Sequence, residues 1–188
     1  MTEGEAPART EFLRLGFDAW PPGRVLAWLA GRGADSPFAY VVTPNVDHMV
    51  RLGKAGQESA SWLWSAYRQA DLCLSDSRVL SRLAALCGVA LPVVPGSDLV
   101  RAAFDGVLAP DDRICLIGGT PATAAALAAG FPALDIRHHD APMGLLRDPE
   151  ARADAVAFAR EVRARLHLLA IGSPQQELLA WEMARAGG

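Results

Sequence analysis

The stretch Arg113-Ile114-Cys115-Leu116-Ile117-Gly118-Gly119-Thr120-Pro121, continuing through an alanine-rich run to Gly130, decides the fold. An apolar run too short for a helix ends at two glycines, and Thr120-Pro121 then supplies a hydroxyl suited to an N-cap and a proline suited to the first helical position. Gly130 is placed as the C′ residue that ends the helix. Ile114 to Leu134 carries no charge and is nominally long enough to cross a bilayer. However, Gly118, Gly119, Pro121, Gly130 and Pro132 interrupt it, so a strand, a turn and a buried helix explain it better.

The same grammar occurs at Val41-Val42-Thr43-Pro44 and at Ala170-Ile171-Gly172-Ser173-Pro174. If the strands are parallel, these helix N-termini emerge on one edge of the sheet. Free backbone N–H groups and positive dipole ends would then face a common ligand, with Gly118, Gly119 and Gly172 allowing close approach. A diphosphate suits such an edge. Neither GxxxxGK[ST] nor GxGxxG is present, so a nucleotide would have to bind by another design.

Working outward, the alternation predicts an α/β, Rossmann-like fold with a largely parallel sheet flanked by helices. Strands are expected over Phe12–Phe17, Phe38–Thr43, Leu72–Leu74, Leu91–Val94, Arg113–Ile117, Ala133–Arg137 and His167–Ile171. Helices are expected over Gly23–Gly31, Asn45–Lys54, Ser59–Ala70, Arg78–Cys87, Asp98–Phe104, Pro121–Ala129, Pro149–Arg165 and Pro174–Ala186. In the seventh helix, Ala155, Phe158, Val162 and Leu166 recur at helical spacing, opposite Arg152, Asp154, Arg160, Glu161 and Arg163.

The chain has 188 residues, 51% hydrophobic and 21% charged, which suits one globular domain over residues 1–188. Its 18 basic and 21 acidic side chains leave a net charge of −3, which disfavours general nucleic-acid binding. Cys73, Cys87 and Cys115 form no metal-binding spacing and read as buried thiols of a reducing cytoplasm. The N-terminus, with Glu3 and Glu5 and no apolar core, does not read as a signal peptide.

Acidic residues near strand ends are candidates for general-base work. Asp76, between an apolar run and a helix, is one, although it would equally serve as a helix cap. Asp47 and Asp98 lie in first helical turns and suit a dipole. Ser173 and Gln176 fit a capping box, with Glu177 as a favourable first-turn charge. His138 and His139, adjacent in a strand, point to opposite faces and disfavour a shared metal; a loop contact to substrate before Ala141-Pro142-Met143-Gly144 suits them better. His48 and His167 have no identifiable partner, and no GxSxG elbow appears.

The motifs Thr43-Pro44-Asn45-Val46-Asp47-His48, Ser75-Asp76, Gly96-Ser97-Asp98-Leu99, Leu116-Ile117-Gly118-Gly119, His138 to Gly144, and Gly172-Ser173-Pro174-Gln175-Gln176-Glu177 stand in an order that resembles the WecG/TagA/CpsF glycosyltransferases, glycosyltransferase family 26. The last motif is close to that family's G-S-P-x-Q-E signature. The resemblance implies inverting transfer of a hexose or N-acetylhexosamine from a UDP-sugar to a polyprenyl-diphosphate-linked saccharide in bacterial cell-surface polysaccharide assembly. It implies no required metal or cofactor, and a peripheral position at the inner face of the plasma membrane. It also implies Asp76 as the base. The substrate-binding residues on this reading are Thr43, Asn45, Asp98, Gly118, Gly119, Gly172, Gln176 and Glu177.

This sequence departs from the family pattern in three places. Ser77 replaces the glycine usual after the base, Pro92-Val93-Val94-Pro95 lacks an arginine common before the Gly96 motif, and the dozen residues from Gln176-Glu177 to Gly188 do not include the arginine-bearing C-terminal segment expected of the family. These departures keep two other readings open: a silent sugar-nucleotide-binding module, and a partner subunit of another glycosyltransferase. Homo-oligomerisation through apolar surface such as Trp62 and Trp64 is a further expectation.

Overall fold

A computed structural model describes residues 9–55 and 61–187. The expectation for the N-terminus at residues 1–8 and the start of the helix expected from Ser59 lie outside them. The chain enters as a hairpin of β1 (Thr10–Phe12) and β2 (Leu15–Phe17), paired antiparallel. One continuous strand was expected over Phe12–Phe17. Instead, Leu13 and Arg14 take positive φ of 51° and 68°, the handedness of a two-residue turn matched to strand twist. Phe12, Leu15 and Phe17 face the core while the turn stays outside. Asp18 anchors the hairpin, with its Oδ2 accepting from Arg9 Nε at 3.1 Å and from the Cys73 amide at 2.8 Å.

There follow α1 (Pro22–Ala30), β3 (Val41–Val42), α2 (Val46–Lys54), α3 (Ser61–Arg68), β4 (Leu72–Cys73), α4 (Arg78–Leu86) and α5 (Gly96–Gly106). The second half runs β5 (Arg113–Gly118), α6 (Pro121–Gly130), β6 (Asp135–His139), a 3-10 turn at Leu145–Arg147, α7 (Pro149–Val162), β7 (Leu166–Ala170) and α8 (Gln175–Arg185). The fold is α/β and Rossmann-like. A parallel sheet in the order β6-β5-β7 is flanked by helices, and β3 pairs in parallel with β4 as a separate two-stranded ladder.

The strand expected over Leu91–Val94 reduces to one bridge, Ser75 to Val93. Pro92 and Pro95 lack amide hydrogens on either side of Val93 and Val94, so no ladder can extend there. The strand expected over Phe38–Thr43 shortens to Val41–Val42, because the Tyr40 amide donates to Asp71 Oδ2 and Pro44 ends the run. Gly130 closes α6 from within and Phe131 caps it, so Gly130 is not the left-handed C′ residue expected. α6 is also largely exposed, with Ala124 its buried side chain, rather than the buried helix read from its alanines. α7 ends at Val162 because Arg163 turns left-handed, φ 47°.

The core lies in three clusters. One joins the hairpin, α2, α3 and α4 through Phe17, Leu52, Tyr67 and Leu80, and a second packs α7 and α8 on β5 through Ile117, Ala159, Leu179 and Met183. The third sets Trp20 and Val25 against Leu72, Leu74 and Val94. β5, with Ile114 to Gly118 buried, is the central strand; β7 is half-buried because its outer edge faces open space. Cys73 and Cys115 are buried as expected, whereas Cys87, at the end of α4, is exposed.

Candidate active site

Because β3, β4, β5 and β7 belong to parallel ladders, the connections after them place side chains at strand C-terminal ends, where α/β sheets bind ligands. Between β3 and β7, which do not pair, opens a cavity of about 850 Å³, lined by Tyr40–Thr43 on one side and Leu166–Ala170 on the other. Residues of α5 and α8 contribute further wall, including Leu99, Ala103, Ala180 and Met183. Thr43, His48, Asp76, Gly96, Ser97, Gln176 and Glu177 supply its polar end.

Asp76 is held by the backbone. The Leu74 amide donates to Val42 O and the Asp76 amide to Pro44 O, which continues the β3–β4 ladder beyond its strands and fixes the carboxylate beside the Thr43-Pro44 turn. Ser77, not Asp76, caps α4: its hydroxyl accepts from the Leu80 amide at 3.1 Å, so the carboxylate is not used as a cap. Burial pushes the Asp76 carboxyl above its usual range, and the nearby Asp98 pushes the same way. The Gly96 amide hydrogen bond and the His48 ring oppose this shift. Gly96 permits this arrangement, since a Cβ there would stand 2.9 Å from Thr43 Oγ1.

Beside Asp76 lies a partly buried polar chain that links three expected residues, Asn45, Gln176 and Glu177, through two whose part the sequence reading missed, His48 and Tyr67. Asn45 caps α2, its Oδ1 accepting from the Asp47 and His48 amides at 2.9 and 3.3 Å, while the Asn45 amide donates to His48 Nδ1 at 3.1 Å. Nδ1 also lies 2.8 Å from Asn45 Oδ1, so the cap holds the ring in place in either tautomer, and Nε2 faces Glu177 Oε1 at 3.6 Å. The same Oε1 accepts from Tyr67 OH at 3.0 Å and Gln176 Nε2 at 3.3 Å. Glu177 Oε2 is buried, has no hydrogen-bond partner among the described residues, and belongs to a residue that lines the cavity. Burial holds His48 below its ordinary pKa, with Arg51 acting the same way against Glu177, Asp47 and Asp76. An Asn-x-x-His spacing was the available signal for His48, as a reciprocal cap; nothing local signals Tyr67.

The three junctions that look alike in sequence differ in space. Thr120 caps α6 as expected, accepting from the Thr123 amide at 3.1 Å. Thr43 does not cap α2, because Asn45 does. Ser173 does not form the expected capping box: Pro174 occupies the cap position after a cis peptide bond, and Ser173 Oγ accepts from Arg51 Nη1 at 2.6 Å. Gln176 therefore turns to Glu177, which lies in the first turn of α8 as expected and is, in addition, a buried acceptor. α5 and α8 have no cap from their own N-cap residues, Pro95 and Pro174, although Asp76 engages the Gly96 amide of α5, and both helices reach the cavity through Gly96, Ser97 and Gln176.

Of the expected site residues, Thr43, Asp76, Gln176 and Glu177 share the cavity. Asn45 stands behind it, orienting His48, and Asp98 is exposed in the first turn of α5. The glycines divide. Gly118 does not open the backbone to a ligand, because it is closed against β7: a Cβ would meet Ala170 O at 2.7 Å. Its carbonyl instead contacts His138 Nε2 at 3.0 Å, while His139 packs on Phe158, so the paired histidines do face apart. Gly119 and Gly172 are exposed with φ of 70° and 76°, and Gly172 has open space where a Cβ would be. His167 packs edge-on against Phe38 at the cavity wall.

The profile of the glycosyl transferase WecG/TagA/CpsF family matches residues 10–186, from the first strand of the hairpin to the end of α8. The chain belongs to this family. Among curated proteins no significant match is found. Membership in the WecG/TagA/CpsF family makes the chain one of a glycosyltransferase family acting in cell-surface polysaccharide biosynthesis, with a sugar donor and an acceptor in general terms. Among the described residues no helix is long and apolar enough to cross a membrane, and no cluster of three His, Cys, Asp or Glu side chains is arranged to hold a metal ion.

Proposed function

We propose that this protein is an inverting glycosyltransferase that moves a hexose or N-acetylhexosamine from a UDP-sugar to a polyprenyl-diphosphate-linked saccharide, with Asp76 as general base. The observation that carries the reading is a partly desolvated carboxylate, fixed by backbone bonds, at the polar end of a cavity whose size suits a nucleotide sugar. The acceptor hydroxyl oxygen forms a bond to the anomeric carbon from the face opposite the leaving group. The bond from that carbon to the diphosphate oxygen breaks, UDP departs with the electron pair, and Asp76 takes the hydroxyl proton.

Desolvation raises the basicity of Asp76, which suits proton abstraction near neutral pH. The N-termini of α5 and α8, without caps from Pro95 and Pro174, offer positive dipole ends and amide hydrogens other than the Gly96 amide engaged by Asp76 for the diphosphate charge. They stand in for the arginine absent from Pro92-Val93-Val94-Pro95. The unpartnered Glu177 Oε2 is a ready acceptor for a sugar hydroxyl, and Thr43 and Gln176 flank the same space. Asn45 acts through His48 as a positioning residue. On this reading the reaction runs at the inner face of the plasma membrane, without metal.

Asp76→Asn tests the reading. Transfer, measured as acceptor-dependent UDP release, should be lost while UDP-sugar affinity stays within a few-fold, and wild-type transfer should survive EDTA. Turnover by Asp76→Asn at the wild-type rate removes Asp76 as base, and activity lost to EDTA and restored by a divalent ion removes the metal-free mechanism. UDP-sugar binding by wild type without turnover leaves a binding module.

A further inference from the structure

α4 carries an outward face that nothing in the described residues covers. At 100° per residue, Leu80 and Ala84 turn inward, where both are buried, while Val79, Leu83 and Leu86 fall on one outer stripe. Those side chains are 57%, 45% and 85% exposed. No other described α-helix exposes more than one large apolar side chain. Arg78 and Arg82 lie exposed along one border of the stripe, and α4 contains no Asp or Glu. An apolar stripe bordered by arginines on a helix free of carboxylates is the pattern of a helix lying in a membrane interface.

We propose that α4 is the surface by which this protein lies on an anionic bilayer. The charge on the helix selects this occupant over a second copy of the chain. A two-fold antiparallel pairing of α4 would set Arg82, at its middle, against the same residue of the other copy and Arg78 against the apolar Leu86 end, with no carboxylate on either helix to offset the charges. Anionic headgroups supply that charge, even though the chain as a whole is at −3. Placement agrees with the chemistry above, on which the purpose of the contact rests. Ser77, the α4 cap, directly follows Asp76, and Val79 lies on the first turn beyond it. With α4 in the interfacial plane, the polar end of the cavity sits near the headgroups, where the saccharide of a lipid-linked acceptor is held.

The test is co-sedimentation of the full chain with phosphatidylcholine vesicles, with and without phosphatidylglycerol, at low and high salt. Binding is expected to the anionic vesicles and should weaken with salt. The double variant Leu83→Glu/Leu86→Glu should bind about tenfold more weakly or worse, and Arg78→Ala and Arg82→Ala about fivefold more weakly each. Circular dichroism confirms that these surface variants are folded. Three results overturn the proposal: no binding by wild type, equal binding by the double variant, or a wild-type dimer that the double variant dissociates, which makes a second copy the occupant. UDP-sugar binding, measured in parallel, should be unchanged in these variants because none of the four side chains lines the cavity. Its absence in wild type would sink the transferase reading while leaving the vesicle result to stand on its own.

Discussion

Tyr67 donates its hydroxyl to Glu177 Oε1 across 3.0 Å, joining α3 to α8 inside the protein between residues 110 apart in sequence. The bond puts a buried carboxylate within 3.6 Å of His48 Nε2 and so ties both helices to α2. A buried carboxyl group whose second oxygen has no partner among the described residues depends heavily on the donors it has. Burial and the adjacent carboxylate both push the Tyr67 phenol upward, so it stays a donor throughout the physiological range.

Tyr67→Phe should therefore destabilise the fold by about 1–3 kcal/mol, the cost of stranding a buried polar group. The ring volume is kept, so a cavity does not confound the result. Urea denaturation should show a lower midpoint with an unchanged slope. A midpoint equal to wild type would mean that Gln176 and His48 already satisfy Glu177 without the phenol.

The depressed pKa of His48 fixes the sign of a pH effect. Burial opposes protonation in the folded protein, while the unfolded chain takes up its proton near the ordinary value of 6.5. Between the folded value and 6.5 the unfolded state holds more protons, so stability falls as pH drops through that window. His167, also depressed by burial, acts in the same direction. The stability difference between wild type and His48→Gln, followed from pH 7.5 downward by urea denaturation (values about 7.5 to 5), should shrink on acidification. A difference that is flat with pH would show that His48 titrates normally.

The parallel α/β alternation is legible in the sequence because β5 and β7 are mostly apolar, broken only by Arg113 and His167, and are followed by glycine and a Ser/Thr-Pro pair. The hairpin at Leu13-Arg14 is not, since it places two ordinary residues at positive φ without the glycine or asparagine that marks such turns. Asp76 is legible as an edge carboxylate because a strand, a short turn and a helix are enough to place it. Glu177 is not, because what converts a first-turn charge into a buried acceptor is Tyr67, brought in by tertiary packing. The Thr43 and Ser173 caps fail for a related reason. Asn45 is the better cap two residues on, and Arg51, from another helix, engages the Ser173 hydroxyl.

Thiol chemistry should separate the three cysteines. Burial pushes the Cys73 and Cys115 thiols up to about 12, leaving almost no thiolate at neutral pH, whereas Cys87 is exposed at the end of α4. Iodoacetamide on the native protein should modify a single thiol, and mass spectrometry should place it on Cys87. The other two should react only after denaturation, and Cys87→Ser should abolish the native reaction. Rapid native labelling of Cys73 or Cys115 would mean that the core around β4 or β5 opens readily.

Gly118 and Gly172 end neighbouring strand connections, both with positive φ, at 86° and 76°, yet they face different constraints. At Gly172 an added Cβ meets open space, so Gly172→Ala should cost only the strain of the left-handed backbone, about 1–2 kcal/mol. At Gly118 the same methyl would stand 2.7 Å from Ala170 O and 2.4 Å from Ile171 Cγ2, in addition to that strain. The Gly119 amide also donates to Ala170 O at 3.1 Å, so moving β5 away from β7 to relieve the clash would break that bond. Gly118→Ala should accordingly lose more stability than Gly172→Ala by about 1–3 kcal/mol, as overpacked sites do. Thermal melts of the two variants side by side decide it, and equal losses would mean that the β5–β7 edge gives way without cost.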